Sequence, residues 1–254
     1  MTRVALLTEI PAPYRIPLFN ALADRVDLRV IFLRERNPER PFRLHREELR
    51  FDWEVLPGTD VTVGGRWVVV NRGVVRGLRG ADALIVGGWN QPAFWAALAW
   101  SAARRVPALL WVESTGGDAR SGRLEPVKRR LLCAAAGFVV PGTAARDYLR
   151  SLGVAADRIT VAPNAVDPAI FGAGKRTRTG GARRIVTVAR LSPEKGVDVL
   201  LRAAEGLDAE VVVAGSGPEE GRLRALAGPN VVFLGNVERD DLPELYANAD
   251  IAVV

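Results

Sequence analysis

Short runs of branched apolar residues alternate along this chain with longer stretches whose apolar positions recur every three to four residues. RVALLT (3–8) is followed by a helix-period segment over about 16–24 and then by DLRVIFL (27–33). Such alternation predicts parallel strands joined by crossover helices. A charge-rich, irregular stretch at 34–50 gives way to two further extended pieces, FDWEVLP and VTVGGRWVVVN, whose place in the sheet the pattern leaves open. From residue 81 the rhythm is regular: ADALIVGG, a helix over about 92–105, PALLWVES, a helix over about 125–136, GFVVPG and a helix over about 143–152. That is half of a doubly wound fold.

RITVAPNAVDPAIF is extended, is turned by Pro163, Asn164 and Pro168, and runs into GAGKRTRTGGARR. Glycine, threonine and arginine without apolar periodicity mark a flexible linker. The expected organisation is an N-terminal domain at 1–172, a linker at 173–183 and a second α/β domain at 184–254. The second domain reads RRIVTVAR, a helix over about 197–205, AEVVVAG, a helix over about 219–226, NVVFLG, a short helix over about 242–247, and IAVV. Its fourth strand is expected beside its first, with more strands outside it. A bare apolar edge strand is an aggregation hazard, so the pattern reads as a sheet left incomplete, by truncation or because another chain completes it. The fold class expected is α/β, with two Rossmann-like doubly wound parallel-sheet domains, the second incomplete.

Composition agrees with a folded, two-domain chain. A length of 254 residues allows one large or two ordinary domains, and 48% hydrophobic with 25% charged residues argues against disorder. The single cysteine, Cys133, forbids an internal disulfide, and its setting in LLCAAAGFVV predicts a small buried thiol in a reducing, cytoplasmic compartment. The opening MTRVALLTEIPAP has too short an apolar run and too early a proline for a signal peptide. PAFWAALAWSAARR falls short of the roughly 18 residues a membrane span needs. The net charge of +6 comes almost entirely from arginine and favours anionic partners: phosphorylated donors, acidic lipid headgroups or nucleic acid. The arginines are dispersed rather than clustered with stacking aromatics, which excludes nucleic acid from the expected partners and leaves peripheral contact with an anionic membrane among them. With one histidine and one cysteine no zinc-type cluster is expected. The histidine, His45, in FRLHREELR, reads as a solvated or acceptor-side residue.

VARLSPEKG (188–196) is the sharpest chemical signal. Arg190 is expected at the carboxyl end of a parallel strand, Lys195 at the mouth of the next helix, and Gly196 at its opening. Ligands of open α/β sheets bind outside the carboxyl ends of the strands, and helix N-termini favour anions. Two cations there suit a diphosphate, the guanidinium as a fork and the ammonium as a point charge. The alternative is a solvated loop in which Ser192 caps the helix beside an unrelated Arg and Lys. AGSGPEEGRL (214–223) has glycines but not the full dinucleotide spacing, and it follows the second strand rather than the first. A tight strand-to-helix turn explains it as well as ligand contact does.

The ordered series PNAVDPAIF, VARLSPEKGVDVLLRAA, VVVAGSGPEEGRL and VVFLGNVERDDLPELYANADIAVV resembles glycosyltransferase family 4, a retaining group with the two-domain GT-B fold. The resemblance covers most of the chain from residue 161 onward. It implies transfer of a sugar from a nucleotide-diphosphate donor to an acceptor hydroxyl on a glycan or a lipid-linked acceptor, in cell-surface glycan or glycolipid synthesis, with the nucleotide sugar as substrate and no cofactor or metal. It implies that Arg190 and Lys195 hold the donor diphosphate, places Gly215 and Gly217 beside the donor site, and nominates Val237, after VVFLG, for the backbone that reads the base. Members carry two glutamates eight positions apart after the strand matching IAVV, beyond the last residue here, so binding without turnover is the competing expectation.

The N-terminal half diverges more, yet PAPYRIPLFNALA (11–23) resembles the opening of several bacterial members. Tyr14 and Arg15 could meet a phosphate or an acceptor hydroxyl, while Leu18 and Phe19 are expected to pack the helix on the sheet. In WVESTGGD (111–118), Glu113 matches a position where many members carry a histidine near the reacting sugar. A carboxylate there could accept a sugar hydroxyl or steady positive charge on the anomeric carbon, and could equally be a structural acid. Gly116 and Gly117 are expected to permit close backbone approach.

Overall fold

The computed structural model describes residues 1–36, 45–63, 66–118, 129, 132–172 and 174–254. The chain divides into two compact units, Met1–Val166 and Asp167–Val254.

In the first unit the strands β1 (Arg3–Thr8), β2 (Asp27–Phe32), β3 (Asp52–Val55), β6 (Ala83–Val86), β7 (Ala108–Trp111), β8 (Gly137–Val140) and β9 (Ile159–Val161) form one sheet. Its order is β3-β2-β1-β6-β7-β8-β9, and every pairing is parallel. The two extended pieces of uncertain place separate: FDWEVLP supplies edge strand β3, while β4 (Gly58–Val63) and β5 (Arg66–Asn71) form an antiparallel hairpin of their own.

Alternating residues of the central strands go to opposite faces, as a period of two requires. On β1, Ala5 and Leu7 join one cluster with Phe94, Ala97 and Leu98 of α3 (Pro92–Arg104) and with Ala145 and Leu149 of α4 (Thr143–Ser151). Val4 and Leu6 join the other, with Ile16 and Phe19 of α1 (Ile16–Ala23). Helices thus cover both faces, the doubly wound arrangement. Pro92 opens α3, where its missing N–H is no loss, and the helix stops at Arg105 in the left-handed conformation, before Pro107.

Arg34, only 6% exposed, ties the hairpin to the sheet through Glu9 Oε1 at 3.1 Å and Asp60 Oδ1 at 2.9 Å. Two neutral bonds assist: Asn71 Nδ2 donates to the Leu33 carbonyl at 2.7 Å, and the Val69 N–H donates to Gln91 Oε1 at 2.9 Å.

The second unit holds α5 (Pro168–Phe171), β10 (Arg183–Val188), α6 (Val197–Ala203), β11 (Ala209–Ala214), α7 (Glu220–Leu226), β12 (Val231–Gly235), α8 (Leu242–Ala247) and β13 (Ile251–Val253). Its parallel sheet runs β12-β11-β10-β13, so the fourth strand lies beside the first as the pattern required. Residues 175–178, inside the segment whose composition reads as a linker, have no regular structure but are tied to the far end of this unit. Asn248 Oδ1 accepts from the N–H groups of Thr177 at 3.0 Å and Arg178 at 2.9 Å, and Arg176 Nη2 donates to Asp250 Oδ1 at 2.6 Å.

Two expectations fail locally. Cys133 is exposed rather than buried, because it falls on the outer side of a short helical turn while its neighbours Leu132 and Ala135 enter the core. Leu18 is 42% exposed, so of the pair expected to pack α1 only Phe19 does so. Among the described residues nothing lies within 4 Å of a Cβ added at Gly116 and only Thr115 Oγ1, at 3.7 Å, meets one at Gly117. Residues 125–128, 130 and 131 of the helix expected over 125–136, and residues 37–44 of the irregular 34–50 stretch, lie outside the described residues. His45 is half-buried, its Nδ1 3.4 Å from Glu47 Oε1.

Candidate functional site

Both sheets place their chemistry where strands end. In the first unit the segments after β1 and β7 bring together two residues 98 positions apart: Arg15 Nη2 donates to Glu113 Oε1 at 2.5 Å. The Arg15 side chain is largely buried and Glu113 is about half exposed. The guanidinium also lies 4.8 Å from the centroid of the Trp111 ring and 5.9 Å from that of Tyr14, within cation–π range of both. Arg15 Nε and Trp111 Nε1 are buried donors with no hydrogen-bond acceptor among the described residues. Such groups are costly to leave unmade.

β6 lies between β1 and β7, so Arg15 reaches Glu113 across the exit of β6. That exit is Gly87-Gly88. A Cβ on Gly87 would stand 3.0 Å from the Leu7 carbonyl oxygen and 3.2 Å from the Thr8 side chain. Gly88 has φ +153, and a Cβ there would come within 3.2 Å of the Phe94 ring. The pair escaped the sequence reading because nothing in ADALIVGG separates a close approach from an ordinary turn. The usable signal was two glycines directly at a strand's carboxyl end.

In the second unit Arg190 lies two residues past β10, and Lys195 closes a single 3-10 turn, Pro193–Lys195. Gly196, in the left-handed conformation at φ +60, turns the chain into α6. Ser192 does not cap a helix: its hydroxyl donates to Glu194 Oε1 at 2.7 Å, and Arg190 Nε donates to Ser192 Oγ at 3.3 Å. Arg190 Nη2 also pairs with Glu194 Oε1. Glu194 was not singled out from sequence. The Ser192 hydroxyl, a backbone N–H and the Arg190 guanidinium hold its carboxyl well below the usual range, at about 2. Lys195 is exposed, and its ammonium has no hydrogen-bond or ion-pair partner among the described residues.

Gly215 and Gly217 build the turn beneath Arg190. A Cβ on Gly215, whose φ is +136, would lie 1.9 Å from the Ala189 carbonyl oxygen, and one on Gly217 would lie 2.3 Å from that of Leu191. The close approach carries backbone hydrogen bonds from Ala189 N to Ala214 O at 3.0 Å, Leu191 N to Ser216 O at 2.9 Å and Glu219 N to Leu191 O at 3.0 Å. The next exit is stitched on by Gly215 N to Gly235 O at 2.6 Å, and half-buried Val237 follows two residues later. Arg190, Lys195, Gly215, Gly217 and Val237 therefore sit on three neighbouring strand exits. Glu219 and Glu220 turn to arginines of their own helix, Arg222 at 2.6 Å and Arg224 at 2.9 Å. Among the described residues no group of three or more His, Cys, Asp or Glu could hold a metal ion, and no helix is long and apolar enough to cross a membrane.

Comparison with known proteins agrees with this architecture. The profile described as "Glycosyl transferase 4-like domain" matches residues 12–165, more than half of the chain, and that described as "Glycosyl transferases group 1" matches residues 174–254. The GDP-mannose-dependent alpha-mannosyltransferase of Corynebacterium glutamicum is 32% identical over 123 residues, 45% of this chain and 29% of that protein. The GDP-mannose-dependent alpha-(1-6)-phosphatidylinositol monomannoside mannosyltransferase of Mycobacterium tuberculosis is 37% identical over 87 residues, 30% of this chain and 23% of that protein. The matches thus span less than a third of these relatives' own lengths. Among solved structures, Anabaena HepE in complex with UDP and glucose superposes with a TM-score of 0.74 at 16% identity, over 99% of this chain and 73% of that one. The lipopolysaccharide outer core galactosyltransferase WaaB gives 0.61 at 13% identity, over the same shares. Two Rossmann-like parallel sheets of the GT-B kind, with both profiles matched in order along the chain, place this protein in the glycosyl transferase 4-like family, its second unit of the group 1 type.

Proposed function

We propose that the chain transfers a sugar from a nucleotide-diphosphate donor to an acceptor hydroxyl, with retention at the anomeric carbon, and that its substrate-binding work is divided between an N-terminal acceptor-side domain at 1–172 and a donor-side domain at 184–254. The observation that carries the reading is the placement of Arg190 and Lys195 on one short turn at the carboxyl end of β10, over a floor of glycine backbone that admits no side chain. An open α/β sheet takes its ligand there. In sugar transfer the charge to be stabilised is the leaving diphosphate, and preorganised cations do this at little cost in reorganisation. Val237, on the neighbouring exit, is assigned to the base.

In the first unit Arg15 and Tyr14 are assigned to the acceptor. Glu113 is assigned to the reacting centre: Arg15 occupies one carboxylate oxygen, which orients the other to accept a sugar hydroxyl or to steady the developing oxocarbenium charge. GDP-mannose is the first donor to try, since two relatives are named as dependent on it, and UDP-sugars the second, since HepE was crystallised with UDP. The acceptor class is a glycan or lipid-linked glycan, met at the face of an anionic membrane.

The test is calorimetric titration of GDP and UDP into the 254-residue chain and its Arg190→Ala, Lys195→Ala and double variants. A hydrogen bond to a charged group contributes about 1.5–3 kcal/mol, so each single variant should weaken binding roughly 10- to 150-fold. Unchanged affinity in a folded double variant ends the proposal.

A further inference from the structure

The structure assigns the outward face of the β4–β5 hairpin to docking on an anionic phospholipid surface. This rests on the reading of the chain as a transferase working at a membrane face, and it names the surface that makes the contact.

The register pairs Val61 with Val68, Thr59 with Val70 and Val63 with Arg66. Residues paired directly across an antiparallel ribbon share a face, so Val61, Val63, Val68 and Val70 stand together. The opposite face is the one that packs, through Val69, which is 2% exposed, and through Asp60 to Arg34. A half-covered ribbon ordinarily turns polar residues outward, yet here Val63 is 60% and Val70 50% exposed. Just past the hairpin Val75 is exposed as well, and so is Trp67, which its pairing with Thr62 puts on the ribbon's other face. Mobility does not explain the exposure, since Arg34, Asn71 and Gln91 bolt the hairpin to the sheet.

Charge identifies the partner. Residues 61–81 contain Arg66, Arg72, Arg76 and Arg79 and not one acid. Arg72, Arg76 and Arg79 are exposed. Branched apolar side chains in the same stretch of chain as arginines without acids suit the headgroup boundary of a bilayer: the valines enter the acyl edge and the guanidiniums meet lipid phosphates. At six residues a strand reaches about 20 Å, too short to cross the roughly 30 Å hydrocarbon layer, so the hairpin lies on the membrane.

The experiment is co-sedimentation of the 254-residue chain with phosphatidylcholine vesicles with and without 30 mol% (about one lipid in three) phosphatidylglycerol. Three variants accompany it: Val63→Asp/Val70→Asp, Arg76→Gln/Arg79→Gln, and the control Leu207→Asp, which removes an equally exposed apolar side chain from the second unit. Circular dichroism checks their folding, and GDP and UDP titrations run alongside. Partition should rise at least tenfold with the anionic lipid. Each arginine near such a surface contributes about fivefold, so the Arg pair should lose roughly 25-fold and much of its salt dependence, the valine pair at least tenfold, and the control nothing. Failure of the parent to prefer anionic vesicles, or partition untouched by the hairpin variants, overturns the assignment. So does a change from dimer to monomer in the valine variant on gel filtration, which would make the face a self-association surface. Loss of nucleotide binding by the parent, with vesicle binding intact, instead overturns the donor reading alone.

Discussion

Replacing Gly215 with alanine should displace the Arg190 turn without unfolding the unit that carries it. Two penalties combine. The backbone at φ +136 is held at ease only by glycine, and such conformations cost other residues about 1–3 kcal/mol. The new Cβ would also sit 1.9 Å from the Ala189 carbonyl oxygen. Both contacting groups belong to the backbone, so one strand exit must move by about 1.5 Å to restore an ordinary contact. That movement strains the bonds Ala189 N to Ala214 O, Leu191 N to Ser216 O and Gly215 N to Gly235 O. Losing two of them at about 1 kcal/mol each brings the total to about 3–5 kcal/mol. A unit the size of Asp167–Val254 has a stability of about 4–13 kcal/mol, so from the middle of that range upward it stays folded with its turn out of place.

Two readouts separate these effects. All six tryptophans lie before residue 112, so their fluorescence in urea reports the first unit, while far-ultraviolet circular dichroism follows both. The alanine variant should lower the circular-dichroism midpoint and leave the tryptophan midpoint in place, and it should bind nucleotide about 100-fold more weakly, the scale expected of an ångström-sized misplacement. Gly221→Ala is the control: it lies inside α7 with open space around it, and should stabilise by about 0.5–1 kcal/mol. A Gly215→Ala protein with parental stability and parental nucleotide affinity would show that the close approach does not hold Arg190.

Three further outcomes follow from single contacts. Asp250 is held at about pKa 2 by Arg176 and by the Arg184 N–H, below its ordinary 3.8; a depressed acid contributes stability above its unfolded pKa and loses it as the pH falls through the folded one. The urea midpoint of the second unit should therefore drop between about pH 4 and pH 2, and Asp250→Asn should flatten that slope; an equally steep slope in the variant assigns the acid sensitivity elsewhere. Arg15→Met should alter tryptophan emission by removing the guanidinium 4.8 Å from the Trp111 ring, whereas Glu113→Gln should not. A double-mutant cycle between Arg15 and Glu113 should show coupling of about 1 kcal/mol or less, since Glu113 is half exposed; zero coupling denies the pair.

What the sequence disclosed was local in origin. The runs RVALLT and RRIVTV announce strands by themselves, and the rule that parallel crossovers return to the same sheet was enough to set β13 beside β10. Arg190 and Lys195 were legible because their positions depend only on where β10 stops. The Arg15–Glu113 pair was legible as two separate candidates but not as a pair, because it depends on β1 and β7 flanking β6, a consequence of strand order and not of either motif. Cys133 and Leu18 failed for a related reason: apolar neighbours raise the expectation of burial, but the face of a short helical turn decides it. The glycines make the point most sharply. Gly116-Gly117 and Gly215/Gly217 both follow strand ends, yet among the described residues an added Cβ meets nothing closer than 3.7 Å at the first pair and stands 1.9 and 2.3 Å from backbone oxygen at the second. The difference lies in whether a neighbouring exit folds against the loop, which single-strand reasoning cannot see.

Glu194, which pairs with Arg190 and Ser192 on its own turn, changes how the proposed diphosphate site works. Its carboxylate stays ionised at any physiological pH, so Arg190 always has a counterion within reach. The pair is solvent-exposed and such pairs contribute at most about 1 kcal/mol, whereas a charged hydrogen bond to phosphate contributes about 1.5–3 kcal/mol. Exchange of Glu194 for a diphosphate is therefore favourable, but by less than an unpartnered arginine would give. Lys195 meets no such competition among the described residues, so it should attract the incoming anion first and Arg190 should close on it second. A transferase must release its nucleoside diphosphate after each transfer, and an arginine with its own carboxylate waiting gives the product a lower barrier to leave than two bare cations would.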